Sequence, residues 1–254
     1  MKLHQALLAA LSAALLSAPA VALQDSCSDC AEGTTATTVA MPSSASSDDA
    51  SVVASELPSY PLTTCPVSGE KLGGEMGEAI NVVVQGRLVR VCCKGCIKKV
   101  KADPSKAFSM IDAAVIKQQK PSYPLDTCPV SGEPLKGDMG EPIDVVVGTR
   151  LVRVCCKGCI KKVKANPAAA LAKVDAALIE AQSKNYSAKT CPVSGEELGG
   201  DMKPVDILYG TRLVRLCCKG CVKKFNANPA KYIAILDGKA DAHGEEHGDG
   251  HDSH

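Results

Sequence analysis

Cysteine is the residue type in this sequence most able to do chemistry. The 254-residue chain has 14 cysteines, and 12 of them fall into three groups of four with nearly identical spacing. In each group one cysteine begins a Cys-Pro-Val-Ser-Gly segment, and three lie in a later Cys-Cys-Lys-Gly-Cys segment. Thiolates from two such segments are usual ligands of a closed soft-metal site. The groups are Cys65, Cys92, Cys93 and Cys96; Cys128, Cys155, Cys156 and Cys159; and Cys191, Cys217, Cys218 and Cys221.

The same cysteines could instead form disulfides. Four cysteines allow three pairings, and because a bond between adjacent Cys92 and Cys93 would be strained, Cys65 would pair with the later segment. A loop of roughly 30 residues closed in this way stabilises a domain by about 2–4 kcal/mol. Cys93 and Cys96 also have the spacing of a redox motif, but no βαβ pattern surrounds them. Metal sites are the favoured interpretation. The alternatives are a disulfide-stapled repeat protein with a structural or protein-interaction role and a thiol–disulfide redox protein.

The later cysteine segment lies where a strand should give way to a helix. Side chains alternate between faces along a strand. If the strand extends through both residues, Cys92 and Cys93 should therefore point in different directions, one lining the site and the other packing or serving as a spare ligand. A helix N-terminus and the nearby Lys94, Lys98 and Lys99 should lower the thiol pKa and favour the metal-binding thiolate.

A repeat of 63 residues positions the cysteines, as the spacing of Cys65, Cys128 and Cys191 shows. Within a repeat we predict a tight turn, a β-hairpin of Ile80–Val84 and Arg87–Val91, a short basic helix at Ile97–Lys101 and a longer helix. Asn166-Pro167 is a typical start for the longer helix. The chain has only 2 Phe, 5 Tyr and no Trp, and domains this small need a staple beyond their core. The predicted fold is α+β, with three tandem small modules, each made of a Cys-containing turn, a β-hairpin and two helices.

The repeats also set the predicted domain boundaries. The basic start, an apolar run and Ala20-Val21-Ala22 predict a secretory signal peptide, and hence a periplasmic or cell-surface bacterial protein. The net charge of +1 argues against nucleic-acid binding. No internal membrane span is expected. The predicted segments are a signal peptide at 1–22, a Ser/Thr/Ala-rich linker at 23–58, repeats at 59–120, 121–183 and 184–238, and a His/acidic tail at 239–254.

The repeats resemble the TRASH/YHS group of small metal-binding domains, which are related to treble-clef zinc fingers. The third copy carries the resemblance best, with Cys191-Pro-Val, Cys217-Cys-Lys-Gly-Cys221, Phe225, Asn228-Pro229 and Tyr232. The first two copies have Val100 and Val163 in place of Phe225. The resemblance implies metal-binding modules used in heavy-metal sensing, trafficking or resistance, often attached to copper-handling proteins.

The first turn departs from the family pattern, which often reads Cys-Pro-x-Cys-Gly. Ser68, Ser131 and Ser194 replace the second cysteine, and a hydroxyl is a poor soft-metal ligand. Either the fourth thiolate is missing or Cys93, Cys156 and Cys218 supply it. Three thiolates suit Cu(I), whereas a closed Zn(II) site requires four ligands, so the expected metal is Zn(II) or Cu(I).

Other residues are weaker candidate ligands. The recurring methionines are better explained as gap-filling core residues, although thioethers also bind Cu(I). The tail histidines could capture ions loosely. The weaker candidates are Met76, Met139, Met202, His243, His247, His251, His254, Cys27 and Cys30.

These observations predict an exported soft-metal-binding protein that acts in metal sequestration, trafficking or resistance. Its partners would be the metal ion and a metal-transport or other exported protein. After signal cleavage no stable membrane insertion is expected. No Ser/His/Asp set, paired-carboxylate cleft or phosphate-binding loop recurs with the modules, so we do not expect an enzyme.

Overall fold

The structure, a computed structural model, describes residues 47–137, 140–199 and 203–239. Within these ranges it contains three two-stranded antiparallel hairpins and repeated helices, as the α+β prediction requires. The strands are β1 Ile80–Val84, β2 Arg87–Val91, β3 Ile143–Val147, β4 Arg150–Val154, β5 Val205–Tyr209 and β6 Arg212–Leu216. The helices are α1 Ser47–Glu56, α2 Lys94–Ala102, α3 Ser105–Gln119, α4 Lys157–Ala165, α5 Pro167–Ser183, α6 Lys219–Ala227 and α7 Pro229–Leu236.

The hairpins form where β-branched residues flank a two-residue turn, as predicted. Ile80 pairs with Val91, and Val84 with Arg87. Gln85 and Gly86 both have positive φ, 51° and 73°, which is the geometry of the tight hairpin turns that match strand twist. Leu88, Val89 and Val91 lie in the core at 0–1% exposure. Because adjacent residues of a strand face opposite sides, Leu88 is buried on one face of the hairpin and Val89 and Val91 on the other.

A short helix follows each hairpin, and it begins earlier than the sequence suggested. We expected helix over residues 97–101, whereas α2 runs from Lys94 to Ala102. The last cysteine of the group, Cys96, therefore lies in the first helical turn instead of before the helix. This placement brings the Cys96 sulfur to 3.9 Å from that of Cys92, which directly follows β2.

The longer helices begin as the Asn-Pro pairs predict in two repeats. The Asn166 side chain accepts a hydrogen bond from the Ala169 N–H, and Pro167 is the first residue of α5; α7 begins in the same way at Asn228. In the first repeat Asp103 instead accepts from the Ser105 N–H at 3.0 Å, and α3 begins at Ser105. Side-chain caps of this kind contribute about 1 kcal/mol each.

The predicted linker is wrong over its last residues, because α1 and a 3-10 turn at Leu57–Ser59 occupy residues 47–59. The repeat extends backward into this segment. Pro58-Ser59-Tyr60 matches Pro121-Ser122-Tyr123, which follows α3 in the same way. The part of the linker before residue 47, with the predicted signal peptide, lies outside the described residues.

Each hairpin is covered by the helix that precedes it in the chain. Helix α1 contacts β1 and β2, α3 contacts β3 and β4, and α5 contacts β5 and β6. Ala107, Ile111 and Val115 on α3 are 0–2% exposed, and Leu151 of the next hairpin belongs to the same core cluster. A module therefore completes its core with a helix from the preceding repeat.

One side chain at the end of each covering helix is bonded to the hairpin below it. The Glu56 carboxylate accepts a hydrogen bond from the Leu88 N–H at 2.8 Å. The Gln119 side chain accepts from the Leu151 N–H at 2.9 Å and donates to the Thr149 carbonyl at 2.8 Å. Gln182 makes the same pair of bonds in the third repeat. These contacts fix the register between helix and hairpin.

The chain segment after α1 also meets the later hairpin turns. The Thr149 hydroxyl donates to the Glu56 carbonyl at 3.0 Å and lies 2.7 Å from the Ser59 hydroxyl. A Cβ built on Gly210 would lie 2.9 Å from the Pro58 carbonyl oxygen. We call residues 56–60, 148–149 and 210–211 the junction. It ties the start of the first repeat to the second and third hairpins.

Within the described part of the chain, no helix has both the length and the apolar character needed to cross a membrane.

Candidate metal centre

Three cysteines of each group converge on one point. Cys65 comes from the first turn, Cys92 from the end of β2, and Cys96 from the first turn of α2. Their sulfur atoms all lie within 4.8 Å of one another, an arrangement that could hold a metal ion. The other two triads are Cys128, Cys155 and Cys159, and Cys191, Cys217 and Cys221.

The first turn is shaped to present its cysteine inward. The Cys65 N–H donates to the Glu70 carbonyl at 2.7 Å, and the Gly69 N–H donates back to the Cys65 carbonyl at 2.8 Å. Gly69 has φ 82°, a conformation that a side chain disfavours. The Cys-Pro-Val-Ser-Gly segment is therefore a closed loop with its sulfur on the inner side, as the turn prediction required.

The triads are buried. Cys65, Cys92 and Cys96 are 0%, 3% and 5% exposed, and the residues of the other two triads are 0–6% exposed. Val89, Val91 and Val100 pack in the same core cluster. An ion held by these sulfurs would be sheltered from water.

Hydrogen bonds stabilise one thiolate in each triad. Burial opposes ionisation of Cys65, but hydrogen bonds from the Ser68 hydroxyl and from the backbone N–H groups of Cys92, Ser68 and Val67 outweigh it. They lower the pKa of the Cys65 thiol to about 6. Cys128 behaves in the same way, with a pKa of about 6, and Cys191 has a pKa of about 7. One thiol of each triad therefore ionises near or below neutral pH, and the thiolate is the form that binds a metal cation.

The helix cysteine has the opposite character. Burial and hydrogen bonds to the neighbouring sulfurs of Cys93, Cys92 and Cys65 raise the pKa of Cys96 to about 12. The pKa of Cys159 and that of Cys221 are also raised to about 12, mainly by burial. A metal ion that binds the whole triad must therefore displace a proton from this cysteine.

Cys93 lies beside the triad and not in it. Its backbone is extended, with φ −153° and ψ 165°, and it caps the N-terminus of α2. Its sulfur is 3.7 Å from that of Cys96, and its side chain is only half-buried. Backbone hydrogen bonds from Cys96 and Gly95 contribute to a lowered pKa of the Cys93 thiol. Strand β2 ends at Val91, and the vicinal sulfurs do not point fully apart, since that of Cys92 lies 3.9 Å and that of Cys93 3.7 Å from the Cys96 sulfur.

The serine of the turn has a role that the sequence did not reveal. The Ser68 hydroxyl lies 3.2 Å from the sulfur of Cys92, and it also supports the Cys65 thiolate. Ser131 and Ser194 lie 3.3 Å from Cys155 and Cys217. The lysines that we expected to lower the thiol pKa are not among the main causes of these shifts, which are hydrogen bonds.

A tyrosine hydroxyl is also hydrogen-bonded to the second strand of each hairpin. The Tyr60 hydroxyl accepts a hydrogen bond from the Arg90 N–H on β2 at 3.1 Å, and Tyr123 and Tyr186 make equivalent bonds at 3.0 and 3.1 Å. These residues begin the repeated motif, so their recurrence five residues before the first cysteine was the available signal.

The described cysteines are all free thiols. In the first triad the sulfurs of Cys92 and Cys96 are 3.9 Å apart, and in the third those of Cys217 and Cys221 are 3.6 Å apart. These separations are far longer than the roughly 2.05 Å of a disulfide. No pair of these sulfurs is at bonding distance, and the triads could hold a metal ion.

Of the weaker candidate ligands, Met76 is the one that lies among the described residues. Met76 has 55% of its surface exposed, so its interpretation as a core residue is wrong. The remaining weak candidates lie outside the described residues: Met139, Met202, Cys27, Cys30, His243, His247, His251 and His254.

No known protein family, no curated protein and no solved structure matches the chain significantly. The repeated cysteine triads are consistent with small metal-binding modules.

Proposed function

We propose that this is a soft-metal-binding protein that holds one ion in each of its three triads and serves metal sequestration, trafficking or resistance. The observation that carries the proposal is the convergence of three buried cysteines at the same place in every repeat. Ligand exchange, without catalysis, is its chemistry. The signal-like start of the chain supports export to a periplasm or cell surface.

Cu(I) is the ion that the triads suit best. Soft thiolates select Cu(I), which accepts low coordination, whereas a closed Zn(II) site takes four ligands. Each triad supplies three sulfurs, and the nearby position in the turn holds the hydroxyl of Ser68. The resemblance of the repeats to domains of copper-handling proteins points the same way.

The test is metal stoichiometry under anaerobic, reducing conditions. The wild-type protein should bind three Cu(I) ions, one for each triad. Cys96→Ser should leave two, and a protein with the corresponding change in every repeat should bind none. Met76→Leu is the matched control, since this exposed residue lies outside the triads and its replacement should leave all three sites intact.

A wild-type protein that binds no Cu(I) would contradict the proposal. So would a Cys96→Ser variant that retains the full amount. A parallel count of free thiols on the isolated protein distinguishes metal sites from disulfides. If most cysteines were oxidised, the isolated protein would have no thiolates to bind a metal ion.

A further inference from the structure

Each buried triad has a fourth cysteine at its edge. Cys93, Cys156 and Cys218 are half-buried, whereas the triad cysteines are buried. The sulfurs of Cys93 and Cys156 lie 3.7 Å from those of Cys96 and Cys159. Cys218 has the same place at the start of α6, with φ −155° and ψ 168°. The arrangement therefore recurs in all three repeats.

The triads are too enclosed to exchange an ion with another protein directly. Cys65 is 0% exposed, and Cys92 and Cys96 are 3% and 5% exposed. A carrier thiol must touch the metal to take or give it, so an ion bound by these sulfurs would be out of reach. The half-buried sulfur of Cys93 is the group of the site that a carrier can approach.

The space beside this sulfur is kept open by a glycine. A Cβ built on Gly95 would have the Cys93 sulfur as its neighbour, at 3.8 Å. The same holds at Gly158 and Gly220, where the distances to the sulfurs of Cys156 and Cys218 are 3.8 and 3.6 Å. With no side chain at these positions, the outer side of each sulfur is left uncovered.

We propose that Cys93, Cys156 and Cys218 are exchange thiols that transfer Cu(I) between a soluble thiol carrier and the buried triads. This inference rests on the proposed function and adds the route by which the sites load and unload. The other role for such a residue, that of an ordinary fourth ligand, predicts a different pattern of effects.

The transfer is a ligand substitution without change of oxidation state. A sulfur–copper bond to Cys93 forms and its thiol proton is lost, while a bond from copper to the carrier thiolate breaks and that thiolate takes up a proton. The ion then moves the short distance to the triad, where bonds to Cys96 and its partners replace the bond to Cys93, and the released Cys93 thiolate takes up a proton as Cys96 loses one. Unloading follows the same steps in reverse.

The experiment compares the rate of loading with the affinity at equilibrium. The test variant carries Cys93→Ser, Cys156→Ser and Cys218→Ser. Serine is a favourable residue at a helix N-cap, so the helices should be retained, and circular dichroism checks this. The probe is the Cu(I)–glutathione complex, mixed anaerobically with the metal-free protein, and loading is followed by the absorption of the copper–thiolate bonds.

We expect the variant to bind three Cu(I) ions with an affinity within about threefold of the wild type, but to load at least about tenfold more slowly. Unchanged loading would overturn the exchange role. A loss of affinity as large as that caused by Cys65→Ser, Cys128→Ser and Cys191→Ser would also overturn it, because the residues would then be ordinary ligands. Absence of Cu(I) binding by the wild type would instead remove the proposed function itself.

Discussion

At the scale of single residues, the cysteines of one triad have the same side chain but differ in thiol pKa. Cys65 is held ready as a thiolate with a pKa of about 6, while Cys96 keeps its proton with a pKa of about 12. Strand alternation did not predict the position of Cys93, since β2 ends at Val91 and the Cys93 sulfur lies 3.7 Å from that of Cys96. The sequence predicted which residue type would gather at the site. It could not predict the hydroxyl contacts of Ser68, because those depend on how the turn folds over the end of β2.

Metal affinity should rise with pH in the neutral range. Above about pH 6 the Cys65 thiol is already ionised, but Cys96 must still release its proton on binding. Each proton released strengthens apparent binding about tenfold per pH unit, so the proton of Cys96 alone gives at least that dependence. Below about pH 6 protonation of Cys65 should make the dependence steeper. Competition with a chelator of known pH dependence, over about pH 5–8, measures this, and an affinity independent of pH would contradict it.

Ser68→Cys should turn the first triad into a four-thiolate site. The hydroxyl oxygen is 3.2 Å from the Cys92 sulfur, so a sulfur at this position can join the ligand set. Because Zn(II) favours four tetrahedral ligands, we expect affinity for Zn(II) at this site to rise at least about tenfold, or about 1.4 kcal/mol. Competition titration gives the affinity, and the Co(II) spectrum reports the coordination.

Ser68→Ala is the matched control for this change. It removes the hydroxyl that helps to lower the pKa of Cys65, so metal affinity near neutral pH should fall. If Ser68→Cys binds Zn(II) no better than the wild type, the serine position does not face the bound ion.

At the scale of helices and strands, the sequence predicted most of what surrounds the site. Hairpins follow from β-branched runs around a two-residue turn, and α5 and α7 begin at their Asn-Pro pairs. Helix α1 was missed because its sequence, SDDASVVASE, is polar and none of its residues is buried. Its helical state depends on packing against β1 and β2, which a local pattern does not reveal.

Glu56→Gln should stabilise the protein at neutral pH. Gln119 and Gln182 occupy the equivalent positions and donate a second hydrogen bond to a turn carbonyl, which a carboxylate cannot do. The expected gain is about 1 kcal/mol, the net value of one hydrogen bond. Urea unfolding of the reduced, metal-free protein measures it.

The gain should also depend on pH. Burial raises the pKa of Glu56, against opposing effects of the Leu88 N–H and of Arg87. A raised pKa in the folded state means that the carboxyl supports folding at low pH and that this support is lost as the pH rises through the folded value. The advantage of Glu56→Gln should therefore shrink toward about pH 4. Gln119→Glu should do the reverse and destabilise the protein at neutral pH. A difference in unfolding free energy between Glu56→Gln and the wild type that does not change with pH would contradict this explanation.

At the scale of the whole molecule, neighbouring modules are not independent, because each covering helix contacts the hairpin of the next module and the junction joins the first repeat to the later hairpins. The count of three modules follows from the sequence repeat, and their sparse aromatic content suggested small cores. The junction was not predictable, because residue 58 meets residue 210 only when all three repeats are in place. Contacts of such long sequence separation leave no periodic signal.

Gly210→Ala tests whether the junction contributes to stability. The new Cβ would lie 2.9 Å from the Pro58 carbonyl oxygen and 3.2 Å from the Cβ of Ser59, so backbone would have to move. Gly86→Ala is the control, since Gly86 has a similar positive φ and no atom within 4 Å of the added Cβ. The control should cost about 1–2 kcal/mol from backbone conformation, and Gly210→Ala at least about 1 kcal/mol more. Equal losses in urea unfolding would show that the junction does not restrain the third hairpin.

Because each covering helix belongs to one repeat and packs on the hairpin of the next, gene duplication can lengthen the array. A tandem gene duplication of 63 codons within the repeats would copy a cysteine group together with the helix that covers the following hairpin. Every internal copy would arrive complete. A gene that began at Tyr60 would lack α1 and leave its first hairpin uncovered. The number of cysteine triads can therefore change in whole units, by a change of copy number and without a new fold.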